Sequence, residues 1–136
     1  MFQIIGKIYD VPRELLEKVA TATFSYLELT NAEIELKFVS VKEITRLNQV
    51  YRDKTGPTDV LSFTLDTKPL LGQIFICYTF TRDQAMRLGR TLDEEVALLL
   101  THGILHVAGY DHEKLDEEQV MQQTESKILE RVGLKR

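Results

Sequence analysis

The stretch E-E-V-A-L-L-L-T-H-G-I-L-H-V-A-G-Y-D-H, residues 94–112, constrains the arrangement of the whole chain. From Val96 to Ala108 nearly every position is apolar or small apart from two histidines. A surface helix would show a wide polar face, so this pattern predicts a helix enclosed by other elements. Histidines at i and i+4 project from one face of a helix, and His102 and His106 have that spacing. Gly109 falls where such a helix would end, because glycine tolerates the left-handed backbone that reverses a chain, and the reversal can bring His112 back toward the same point. These are the three histidines of the protein. Three ligands with a fourth position open describe a catalytic metal site, whereas a structural site is closed.

Composition is compatible with a core able to enclose that helix. The chain has 136 residues, 43% hydrophobic and 28% charged, which suits one folded domain over residues 1–136 and argues against disorder. The longest apolar run, Val96 to Leu100, is too short to span a bilayer, and Met1 to Asp10 shows no basic region leading into an apolar stretch; a cytoplasmic protein with no membrane partner is expected. The one cysteine, Cys77, sits in an apolar run and reads as a buried free thiol. Net charge is -4, unevenly spread: residues 41–91 carry eight Lys or Arg against five acids, which permits a phosphate-binding surface.

Outward from the core helix, period-two alternation predicts strands over residues 2–9, 33–39, 60–65 and 74–78. The second has a wet face of Glu33, Glu35 and Lys37, as expected near a sheet edge. The third sets Leu61, Phe63 and Leu65 toward a core, with Ser62 and Thr64 on a face that could border a cleft. The fourth is apolar on both sides and should be central, after a turn around Lys68 to Gly72. Helices follow from caps and 3.6-residue spacing. Asp10 caps one starting near Pro12, Ser40 with Glu43 one ending near Arg52, Thr81 with Gln84 a short one stopping at Gly89, Thr91 with Glu94 the core helix, and Asp116 with Gln119 a last one that turns Val120, Met121, Thr124, Ile128 and Val132 inward. The class is α+β: a small mixed sheet of about four strands packed with helices around a central metal-bearing helix.

The spacing H-x-x-x-H-x-x-G-x-x-H also occurs in zinc peptidases of the metzincin class, where a glutamate follows the first histidine and acts as general base. Here that position is Gly103, which has no side chain to do the work. Three neutral ligands leave a metal its full positive charge, which favours anionic substrates such as phosphodiesters over neutral peptide bonds. Zinc is the ion best matched by ligand type, although imidazole also suits copper, iron and nickel.

Three blocks in order, Y-R-D-K-T-G-P-T-D-V-L-S-F at Tyr51 to Phe63, L-G-Q-I-F-I-C at Leu71 to Cys77, and H-G-I-L-H-V-A-G-Y-D-H at His102 to His112, make the chain similar to the bacterial YbeY family of metal-dependent endoribonucleases. The resemblance covers most of the chain. It implies an α+β domain, one zinc-type ion on His102, His106 and His112, a functional arginine at Arg52, and a role in ribosomal RNA maturation and small-subunit quality control. RNA, a small-subunit ribosomal protein or an assembly GTPase are the partners such a role brings. The chain departs from the family pattern at Gln73, where aspartate is common, and at Thr64, where a proline often follows S-F.

The chemistry expected of these residues is hydrolysis of an RNA phosphodiester, with the metal polarising a phosphoryl oxygen or activating water and Arg52 steadying the phosphate. The general base is left open: Asp111 is placed either to act in catalysis or to orient an imidazole, and Asp59 either to act in catalysis or to cap a turn. Three readings compete: a metallopeptidase-like hydrolase lacking its glutamate, a non-catalytic ribosome-assembly factor with a structural metal, and a redox metalloprotein.

Overall fold

Along the chain the computed structural model, which describes residues 1–65 and 67–136, runs β1 (Phe2–Ile5), α1 (Arg13–Leu27), β2 (Ala32–Val39), α2 (Val41–Arg52), β3 (Val60–Leu65), β4 (Leu70–Cys77), α3 (Tyr78–Leu88), α4 (Leu92–Val107) and α5 (Leu115–Arg131). The strands form one sheet in the order β1-β2-β4-β3. β2 runs parallel to β1 and to β4, and β3 runs antiparallel to β4. This is the expected α+β class with a mixed four-stranded sheet. Among the described residues no helix is long and apolar enough to cross a membrane.

α4 is enclosed, as its apolar run requires. Val96, Leu100 and Ile104 share one core with Ile34, Leu36, Ile74 and Ile76 of the sheet and with Leu16 and Val19 of α1. Leu105 meets Met121 and Ile128 of α5 in a second cluster. Each fully buried aliphatic side chain contributes roughly 1.5–3 kcal/mol relative to an exposed one. The helix begins with the expected box: Thr91 Oγ1 accepts from the Glu94 N–H at 3.1 Å, and Glu94 Oε1 accepts from the Thr91 N–H at 2.9 Å. Inside it, the buried Thr101 hydroxyl donates to the Ala97 carbonyl at 2.8 Å, which satisfies that group.

Two glycines let α4 sit close to the sheet. A Cβ at Gly72 would lie 2.5 Å from Val107 Cγ1 and 3.2 Å from its Cβ, and one at Gly103 would lie 2.9 Å from Ile74 Cγ2. Gly72 was expected in a turn; it lies within β4, because what it provides is room for Val107 and not a bend. Gly103 gains a second meaning too, since the position presses on Ile74 and a glutamate there has no space.

Other expectations shift for physical reasons. β1 stops at Ile5 because Gly6 and Tyr9 take positive φ and lead the chain off the sheet. Asp10 does not cap α1: it accepts from the Tyr78 hydroxyl at 3.3 Å, and Pro12 occupies the N-cap. β4 runs directly into α3, so Thr81 lies inside that helix with its hydroxyl buried, and Gln84 donates to Asp59 Oδ2 at 3.1 Å instead of capping. Asp116 accepts from the Glu117 N–H, and Lys114 holds the N-cap of α5. Val120 is exposed, whereas Met121, Thr124 and Ile128 face inward.

β2 is interior, not an edge; its wet face arises because α2 covers only part of the outer side of the sheet. There Ile44 and Leu47 pack on Val39, Leu61 and Cys77, whose thiol is buried as expected and pushed up by that burial. Toward Glu35 and Gln73 the outer side stays uncovered, and Leu65, expected in the core, is 60% exposed.

Gly72→Ala should lower stability by about 1–3 kcal/mol, because Val107 is β-branched and cannot swing clear. Chemical denaturation measures this, and an unchanged midpoint would show that α4 does not depend on the close approach.

Candidate metal centre

His102 and His106 lie one turn apart near the C-terminal end of α4, with their Nε2 atoms 3.1 Å from each other. Two zinc–nitrogen bonds of about 2.0–2.1 Å at a tetrahedral angle place their nitrogens roughly 3.3 Å apart, so this pair already has a chelating separation. α4 is capped at Ala108, and Gly109 takes φ 105°. The Gly109 N–H reaches the His106 carbonyl at 3.0 Å and the Tyr110 N–H the Leu105 carbonyl at 2.9 Å, which closes the helix end and turns the chain back. His112 returns with its ring centre 4.9 Å from that of His106 and 5.5 Å from that of His102.

One ligand atom from each histidine lies within 4.8 Å of the others, an arrangement that can hold a metal ion. At the end of a turn, His112 is the most exposed of the three candidate ligands. His106 is held below its ordinary pKa by burial first, then by His102 and His112, which favours the neutral ring a metal needs.

Asp111 does not orient an imidazole. Its Oδ1 accepts from the backbone N–H of His112 at 2.7 Å and so fixes the turn. The carboxylate that does meet a histidine is Glu125 of α5, whose Oε2 is 2.7 Å from His102 Nδ1 and whose Oε1 accepts from Arg136 Nε at 2.8 Å. Burial alone would push the Glu125 carboxyl up, but the bonds to His102 and Arg136 outweigh it and hold it below the ordinary range. Sequence reading passed over this residue. The signal was there: Met121, Thr124 and Ile128 mark the inward stripe of α5, and position 125 belongs to the same stripe, so a charged side chain at it demanded a partner.

Arg52, at the C-terminal end of α2, is brought to the same cleft as the histidines. Its guanidinium donates to the Ser62 carbonyl and lies 4.9 Å from the centre of the Phe63 ring. The cleft has a volume of about 1020 Å³ and is also lined by Lys54, Ser62, Thr64 and Asp111, so the two strand hydroxyls do border it. Asp59 serves its turn: Oδ1 accepts from the Val60 N–H at 2.8 Å while Oδ2 is held by Gln84.

The family model described as Endoribonuclease YbeY matches residues 7–133. The chain belongs to the YbeY family. Among its relatives, the Endoribonuclease YbeY of Sulfurovum sp. (strain NBC37-1) is 43% identical, over 92% of this chain and 85% of that one. That of Aquifex aeolicus (strain VF5) is 39% identical, over 90% and 85%. The solution structure of a Thermotoga maritima protein superposes with a TM-score of 0.69 at 27% identity, covering 98% of this chain and 92% of that one. Gln73 donates to Glu35 at 3.3 Å on the side of the sheet opposite α4.

His106→Ala removes one of the three candidate ligands and should weaken metal binding by at least about tenfold, read by metal analysis after dialysis against a weak chelator. Metal content equal to that of the wild type would rule out this centre.

Proposed function

We propose that the protein is a zinc-dependent endoribonuclease that cuts phosphodiester bonds of ribosomal RNA, with His102, His106 and His112 as ligands and Arg52 at the phosphate. The observation that carries this reading is the shared cleft, which the three histidines and Arg52 line together. Membership of the endoribonuclease family makes the chain a hydrolase acting on RNA.

When bound, the ion supplies Lewis acidity toward a phosphoryl oxygen and lowers the pKa of an attacking water to about 7. Three uncharged ligands leave that positive charge undiminished. Arg52 has five N–H donors, and with its guanidinium anchored on the Ser62 carbonyl, others remain for a bidentate grip on phosphate as negative charge develops there. The neighbouring ring of Phe63 limits its motion. Lys54 adds a second positive charge to the rim, which supports a polyanionic substrate. Both carboxylate oxygens of Asp59 are engaged, so it shapes the loop.

The same reading treats the whole chain, residues 1–136, as one metal-dependent hydrolase domain in the cytoplasm. Maturation of ribosomal RNA and quality control of the small subunit are its setting, with a small-subunit ribosomal protein or an assembly GTPase as protein partner. The uncovered outer side of the sheet around Glu35 and Gln73 offers room for such a partner. A peptidase is not favoured, because the place of its glutamate is pressed against Ile74.

Wild type, Arg52→Ala and His106→Ala, purified identically, should be compared on structured and single-stranded RNA. Cleavage should fall by roughly a hundredfold in Arg52→Ala, the size expected for losing one preorganised charge-stabilising donor, and further in His106→Ala. Cleavage that survives unchanged in both variants comes from a contaminant, and the assignment fails.

A further inference from the structure

Glu125 is only 1% exposed, on a stripe of α5 that otherwise buries Met121, Thr124 and Ile128. A buried carboxylate costs several kcal/mol unless it is paired and its oxygens are satisfied. Both oxygens are satisfied here, by different partners. Arg136 supplies the countercharge at 2.8 Å through Oε1, and Oε2 faces the Nδ1 atom of His102 at 2.7 Å. A carboxylate paired with a guanidinium is ionised and only accepts, so the proton in the second bond belongs to His102 Nδ1. With the proton there, the lone pair of the ring sits on Nε2, the atom that lies 3.1 Å from His106 Nε2.

From this geometry we propose that Glu125 is a positioning residue of the metal centre: it fixes the Nδ1–H tautomer and the ring orientation of His102, and Arg136 keeps it ionised for that task. The assignment rests on the metal reading of the three histidines. It separates the ligands into a rigid and a loose class. His102 is clamped by an ion-paired carboxylate on a different helix, whereas among the described residues His112 is steadied only through its backbone N–H by Asp111. α5 therefore has a role in the chemistry although it does not line the cleft.

The test compares wild type, Glu125→Gln and Arg136→Met in two measurements. The first is zinc affinity by competition with a chromophoric chelator, together with the melting temperature of the zinc-free proteins. Glutamine keeps the shape of the side chain but loses the charge, so affinity should fall about ten- to a hundredfold while the zinc-free melting temperature stays near that of the wild type. Arg136→Met should fall between the two. The second is long-range nitrogen–proton NMR of the histidine rings in zinc-free protein, which should show His102 protonated on Nδ1 in wild type and a mixture of tautomers in Glu125→Gln.

Glu125→Gln binding zinc within about twofold of wild type overturns the assignment while leaving the metal reading intact. Wild type with His102 protonated on Nε2 overturns it even if the variant fails to fold. Wild type that takes up no zinc overturns both.

Discussion

The distance between α4 and the sheet governs the rest of the structure. Val107 rests where a side chain at position 72 would have to be, and the backbone at Gly103 rests on Ile74. Close packing of this kind is stiff, because native interiors have no slack to absorb even one extra methyl group. It therefore sets where the two histidines of α4 stand relative to β3, the strand that supplies Ser62 and Thr64 to the cleft. The same contact explains why a three-histidine spacing shared with peptidases cannot carry their chemistry here. Gly103 is the consequence of a helix lying flat on a sheet as much as it is the loss of a base.

Around that rigid pair the centre is assembled from parts of graded firmness. His102 is held from behind by a buried, ion-paired carboxylate, His106 is half-buried in the helix, and His112 arrives on an exposed turn secured by two backbone hydrogen bonds and by Asp111. Arg52 is on another element altogether. Its helix is fastened to the outer side of the sheet by Ile44 and Leu47, and its guanidinium crosses to the Ser62 carbonyl. The sheet is thus the common reference for both walls of the cleft. Three histidine rings and a guanidinium lining one cleft suit a substrate whose charge is concentrated on phosphate.

Local sequence signals were most reliable where a single element could satisfy itself. The Thr91–Glu94 box closes within four residues, and the Gly109 reversal needs only the backbone of its own helix end. They failed where a distant partner competed for the same side chain. Asp10 was drawn to Tyr78, Gln84 to Asp59, and Gly72 was required by Val107, none of which lies nearby in sequence. Alternation likewise marked the strands without saying how far a helix covers them, which is why β2 looked like an edge while lying inside the sheet.

What the sequence determined alone is the candidate ligand set and the class of the fold. The histidine spacing, the glycine at the bend and the unbroken apolar run are properties of one helix and its end, and periodicity is enough to interpret them. Only the tertiary structure decided which wall faces the histidines, that Arg52 shares their cleft, and that Glu125 and Arg136 stand behind His102. Those facts depend on contacts between residues far apart in the chain, and such contacts are chosen by how whole elements pack, which no local pattern encodes.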